Sequence, residues 1–230
     1  MGSPRTARPV RLFCSIISGD RDTIRRTRQR LTRVFGPLAL ESPIMPFDHT
    51  LYYEAEMGAD LQNEFLLFEN PIGPDALVDL KINTNELERE FSRQILSVAR
   101  PVNIDPGYLD HTKLVLATTK DRPHRIYLSH GIYAEVTLHF QSGAWQHSAW
   151  TYASYRTPEA IEFMNAARAL ALRDFTDQPL TVEPPNPARE SPRPIPLSEP
   201  GIVPEPPPAS GVSGIEPYPL GEILPDEEPH

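Results

Sequence analysis

Fifteen of the chain's 27 prolines fall in its last 47 residues, from Pro184 onward. Proline fixes φ and donates no backbone hydrogen bond, so so dense a run sustains neither a helix interior nor a sheet ladder. Few periodic apolar residues accompany it, and such a segment cannot bury enough surface to offset its ordering entropy. The expectation is therefore a Pro-rich, acidic, disordered tail over 177–230, with extended polyproline-II stretches such as Pro206-Pro207-Pro208. The fold must come from what precedes it: a flexible stretch over 1–8 and one domain over 9–176.

Charge follows the same division. Residues 1–182 hold 20 Lys and Arg against 22 Asp and Glu, for −2, whereas 183–230 hold 2 against 9, for −7. Residues 1–33 carry nine Arg against Asp20 and Asp22, for +7. The folded part is thus nearly neutral overall, and nucleic acid is not an expected partner. Nothing approaches the roughly 20 apolar residues that cross a bilayer, so no membrane partner is expected. The run Leu12-Phe13-Cys14-Ser15-Ile16-Ile17 is shorter than a signal-peptide core. One cysteine makes no internal disulfide, and the expected location is cytoplasmic. The tail reads either as a solubilising segment or as a ligand for a protein partner acting through 183–230.

Hydrophobic periodicity orders the rest. Residues 10–17 read as a buried strand, and Ser18-Gly19-Asp20 supplies a turn and cap for a helix over 22–35. Ile24, Thr27, Leu31 and Val34 form its inner stripe, and five arginines point elsewhere, as a solvated face or a phosphate grip. Strands are expected over 47–57 and 63–69, then a long helix over 74–99 with Leu77, Leu80, Thr84, Leu87, Phe91, Ile95 and Val98 inward. Residues 102–109 enter as a strand and break at Asp105-Pro106-Gly107, a turn signal. The 112–119 segment leans to helix. Residues 124–128 and 132–140 form a hairpin around a three-residue loop at Ser129-His130-Gly131. That register sets Leu128 against Ile132, Tyr127 against Tyr133, Ile126 against Ala134 and Arg125 against Glu135. An aromatic extended stretch over 145–155 leads to a last helix capped by Thr157 and opened by Pro158. The fold class is α+β: a mainly antiparallel sheet with helices packed on one face. Its expected topology is a ferredoxin-like βαββαβ core with an added hairpin and C-terminal helix.

Ionisable residues crowd the strand ends. On the long helix, Lys81, Asn85, Glu88 and Ser92 form a polar stripe about 90° from the apolar one. Asp48, Asp105, Lys113, Lys120, His124, Arg125 and Glu135 stand beside expected strands. Asp48, Asp105, Glu135 and His124 are the candidate catalytic groups. Lys81, Asn85, Glu88, Lys113, Lys120 and Arg125 are the candidate ligand-binding groups. Mg²⁺ takes oxygen ligands and keeps several waters, so Asp48 and Asp105 are its candidate ligands. The implied ligand is small and anionic, phosphorylated or nucleotide-like, and the implied reaction is phosphoryl or nucleotidyl chemistry. Against this stands a non-catalytic interaction module that meets a protein partner through the aromatic 145–155 segment and the Pro-rich acidic tail, with Arg125–Glu135 an ordinary cross-strand pair worth about 0.2–1 kcal/mol. No His/Cys spacing of a fixed metal motif and no Gly-x-Ser-x-Gly elbow occurs.

Several blocks recur in a known order. They include Pro46-Phe47-Asp48, Tyr52-Tyr53, Glu56-Met57-Gly58, Thr84-Asn85-Glu86-Leu87-Glu88, Asn103-Ile104-Asp105-Pro106-Gly107-Tyr108-Leu109 and His124-Arg125-Ile126-Tyr127-Leu128. Gly131-Ile132-Tyr133-Ala134-Glu135-Val136-Thr137-Leu138 and Trp150-Thr151-Tyr152 complete the set. Over roughly 9–172 the chain resembles the bacterial domain-of-unknown-function family 4416, a resemblance that implies no defined activity. A GTP-binding label on some of its members finds no Gly-x-x-x-x-Gly-Lys-Ser/Thr loop here.

Overall fold

The computed structural model describes residues 6–48 and 53–177. The expected tail beyond Asp177, and 49–52 of an expected strand, lie outside the described residues. In chain order the elements are β1 Val10–Ser18, α1 Arg21–Phe35, β2 Leu38–Glu41, β3 Met45–Pro46, α2 Glu54–Met57 and β4 Gln62–Ile72. A 3₁₀ turn, Pro74–Ala76, leads into α3 Leu77–Gln94. Then follow β5 Asn103–Leu109, β6 Lys113–Thr118, β7 Ile126–Ser129, β8 Ile132–Gln141, β9 Ala144–His147 and α4 Pro158–Asp177.

The nine strands among the described residues join one antiparallel sheet in the order β2-β4-β1-β5-β6-β8-β7, with β3 also on β4 and β9 also on β8. The protein is of the α+β class. Its helices cover both faces, not the one face expected. Leu12, Cys14 and Ile16 of β1 pack with Ile24 and Leu31 of α1 and Leu80, Leu87 and Phe91 of α3. Phe13 of β1 faces the other way, into a cluster with Phe65, Tyr155 and Phe163 under α4. The cause is legible in β1, which is apolar at both parities and therefore needs cover on both sides. Burying each such large side chain contributes about 1.5–3 kcal/mol.

Asp20 caps α1 as expected, its carboxylate accepting from the Asp22 and Thr23 amides. Val34, expected inward, is exposed at the helix end. The strand expected over 47–57 is absent from its described part: Glu54–Met57 is a helical turn, and the second strand is Leu38–Glu41 instead. Helix α3 stops at Gln94 because Ile95 turns extended and packs onto the α1/α3 cluster.

The break expected at Asp105-Pro106-Gly107 does not occur, and β5 runs straight through it. β6 joins β5 only from Gly107, opposite Leu116. A Cβ on Gly107 would lie 2.3 Å from the Val115 carbonyl oxygen, so glycine here permits close strand approach and makes no turn. Pro106 precedes that ladder, where a missing N–H leaves no partner unserved. The 112–119 segment, expected helical, is β6; its Leu114-Val115-Leu116-Ala117 run is buried on both faces and so shows no helical period.

The hairpin turn has two residues, His130 and Gly131, both at positive φ (53° and 73°). Ile126 pairs Ala134 and Tyr127 pairs Tyr133 as expected. Ile132 pairs Ser129 rather than Leu128, which is the extra residue of a bulge. Among the described residues no helix is long and apolar enough to cross a membrane.

Candidate functional site

Strands β5 and β6 are laddered at one end and part at the other. At the open end the backbone of Ile104, which points away from β1's ladder partner side, meets side chains of α3 instead of a strand. The Ile104 amide donates to Glu88 Oε1 at 2.7 Å, and its carbonyl accepts from Lys81 Nζ at 2.9 Å. Both groups come from the polar stripe of α3, about two turns apart, with Asn85 between them and half-buried. Lys81 itself is 5% exposed, its stem running through the core edge and its ammonium delivered to the seam.

The same ammonium lies 3.2 Å from Asp105 Oδ1. Asn103 donates to the other Asp105 oxygen at 2.7 Å. Arg100 closes the chain, donating to Glu88 Oε2 at 3.1 Å and to the Asn103 side-chain oxygen. Burial raises the Glu88 carboxyl above its usual range, although Lys81 and Arg100 pull it down. Burial works against the Arg100 charge, but Glu88 and Asp105 outweigh it and raise its pKa. Cys14 is held as a buried thiol, its pKa pushed well up by burial. Within the group Asp105 is the reachable carboxylate, 32% exposed against 13% for Glu88.

A second cluster stands on β8. Arg125 donates from Nε to Glu135 Oε2 at 2.9 Å, from Nη1 to the Lys120 carbonyl at 3.3 Å, and from Nη2 to the Tyr152 hydroxyl at 3.1 Å. Thr137 donates to Glu135 Oε1 at 3.3 Å. His124 Nε2 is 3.3 Å from Glu135 Oε2, and the imidazole stacks on Trp150 with centroids 4.9 Å apart. Tyr155 links the two clusters. Fully buried, its phenol is held well above its usual pKa, first by burial and then by the charge of Asp105, with Glu135 adding to it. Its hydroxyl also meets Ser15, the residue opposite Asp105 across the β1–β5 ladder.

The structure thus gathers Lys81, Glu88 and Asp105 around the seam, with Asn85 on the same helix between the first two, and sets His124, Arg125 and Glu135 together on the β8 side. Lys120 follows β6 and contributes its carbonyl to Arg125. One candidate lies elsewhere: Lys113 opens β6 at the laddered end and pairs with Asp110 at 2.7 Å. Asp48 follows β3 directly after Phe47, which packs with Ile17, the residue opposite Asn103, and with Met57 of the turn whose Glu56 meets Arg100. Among the described residues no three His, Cys, Asp or Glu side chains gather as a metal cluster. Arg100, Asn103, Tyr152, Tyr155 and Ser15 were not read as site residues from the sequence. Asn103, two residues before Asp105 on one strand face, carried the clearest available signal.

The arginines of α1 mostly meet polar partners. Arg25 pairs with Asp22, Arg26 bonds Gln94, Arg30 pairs with Glu90, and Arg28 bridges Glu41 at 2.9 Å and Glu64 at 2.7 Å. Glu64, on β4 beneath α1, is buried, and that burial raises its pKa to about 7 against the pull of Arg28.

No curated protein and no solved structure matches the chain. The family model described as "Domain of unknown function (DUF4416)" matches residues 8–170. With that match over most of its length, the chain belongs to the DUF4416 family.

Proposed function

We propose that the protein binds a small anionic ligand, phosphorylated or nucleotide-like, at the open seam between β5 and β6, with Asp105 facing it. The observation that supports this is the division of labour in the seam. Lys81 and Glu88 satisfy the Ile104 backbone, whereas Asp105 is a carboxylate held by two neighbours and left one-third exposed. Three cations, Lys81, Arg100 and Arg125, stand against three carboxylates, Glu88, Asp105 and Glu135. Such a balanced set favours an anion that arrives with a counter-charge. Mg²⁺ fits that role, because it is commonly held by one or two carboxylates plus substrate phosphates and not by an all-protein cage. Asp105 would hold the ion through oxygen, and Arg100, 30% exposed, would neutralise phosphate charge beside it. The reaction class is phosphoryl or nucleotidyl transfer, in which positioning and charge neutralisation carry most of the catalysis.

A thermal-shift panel of nucleotides, sugar phosphates and acyl phosphates on the full chain, with and without Mg²⁺, tests this reading. A ligand at 100 times its dissociation constant adds about 2.7 kcal/mol of stability. The expected result is a shift that requires Mg²⁺; a flat panel refutes the reading. The second reading, a protein-interaction module, draws on β7, an edge strand whose Ile126 and Tyr127 are 68% and 58% exposed. Capture of a partner that Tyr127→Lys abolishes, together with a flat panel, would favour it.

A further inference from the structure

At the laddered end of β5 and β6, far along the strands from the seam, a groove of about 360 Å³ lies between the start of β1 and the end of α4. That volume falls within the range of small-molecule sites. Val10, Leu109, Ala171 and the rings of Tyr108 and Phe175 line it with apolar surface. Its charges are arranged unevenly. Arg11 is matched to Asp174 by two hydrogen bonds of 2.5 and 2.8 Å, and Lys113 is matched to Asp110 at 2.7 Å. Arg8 meets no carboxylate among the described residues. Its guanidinium lies 4.0 Å over the Phe175 ring and donates to the Phe175 carbonyl at 3.1 Å. The groove therefore carries one guanidinium charge that no acidic side chain among the described residues offsets, beside an apolar floor. His111, its ring 4.0 Å from that of Phe175, adds a polar edge on the same side.

We propose that this groove binds an amphiphilic monoanion, an apolar or aromatic body bearing a single carboxylate-type head. The body covers Val10, Tyr108 and Phe175, and the head pairs with Arg8. A phosphate-rich ligand is the poorer match, since Asp110 and Asp174 stand at the same groove. The inference is independent of the seam, because neither Asp105 nor Lys81 lines this surface.

Titration of the full ¹⁵N-labelled chain with octanoate, followed by amide chemical shifts, tests it. The expected result is saturable shifts centred on Val10, Tyr108, His111 and Phe175, with 1-octanol binding more weakly. Arg8→Ala, in an irregular segment ahead of β1, should weaken octanoate binding by about tenfold or more while leaving the spectrum otherwise folded. Shifts that scatter over the surface or centre on the seam would overturn the proposal, as would equal binding of octanol or of the Arg8→Ala chain.

Discussion

The two ends of the β5–β6 pair solve one problem in opposite ways. From Gly107 to Leu109 the strands ladder, and Gly107 lets the backbones approach so closely that no side chain fits between them. From Asn103 to Pro106 there is no β6 partner, and the amide and carbonyl of Ile104 are served by Glu88 and Lys81 from α3. A buried backbone group left unserved costs about as much as a lost hydrogen bond. Polar side chains on a core-facing helix are therefore the expected consequence of a strand that stops being paired. The lesson concerns function as well. A residue whose charge completes the backbone is explained by folding, and Asp105 is the member of the cluster that this explanation covers least.

The sharpest break in the contrast comes from the β8 cluster beside the open end. Arg125→Ala leaves Glu135, 4% exposed, without its guanidinium, and should cost about 3–5 kcal/mol in urea denaturation. A loss below 1 kcal/mol would mark the pair as dispensable to the fold. At the laddered end, Gly107→Ala should cost about 3 kcal/mol, because the new Cβ meets the Val115 carbonyl and Leu116. Tolerance of alanine there would show that the strands separate easily along their whole length.

Lys81→Met sharpens the comparison from inside. It keeps the aliphatic stem but leaves the Ile104 carbonyl unserved, for a cost of about 1–3 kcal/mol. An unchanged midpoint would mean that water takes over the carbonyl and that Lys81 is not part of the fold's accounting.

Glu64 provides a control away from both ends. Its folded pKa of about 7 lies above its reference of 4.5, so the folded state binds the proton more tightly. Its contribution is fully present below about pH 4.5 and is lost as pH rises through about 7. Glu64→Gln should flatten that part of the stability-versus-pH curve, by about 1–3 kcal/mol across the window. An identical slope in both proteins would assign the pH dependence to other groups.

Much of this was legible in the sequence where periodicity was strong. The α3 stripe is buried from Leu77 through Leu80, Thr84 and Leu87 to Phe91 as its spacing implies, while Ile95 and Val98 fall beyond the helix end, and the Tyr127–Tyr133 pair holds in the hairpin. Where two physical uses of one residue compete, the local signal misled. Pro106 and Gly107 are turn formers by composition, yet one sits before a ladder begins and the other permits a close approach, both of which depend on distant β6. The β6 run has no alternation because both its faces are covered, so its short apolar stretch passes equally for helix. Of the candidate residues, Lys81, Glu88 and Asp105 meet because α3 and β5 are consecutive and pack directly. Lys113 fell away because charge beside a strand does not reveal which end of the sheet it occupies.

The smallest expected effect on stability belongs to Asp105→Asn, and it tests the central claim most directly. Stability and Mg²⁺-dependent ligand shift should be measured together on the full chain, wild type against variant. The account predicts stability within about 1 kcal/mol of wild type, since Asp105 is partly solvated, and complete loss of the ligand shift. A variant that keeps the shift, or that loses several kcal/mol of stability, would contradict it and return Asp105 to the same structural duty as Lys81 and Glu88.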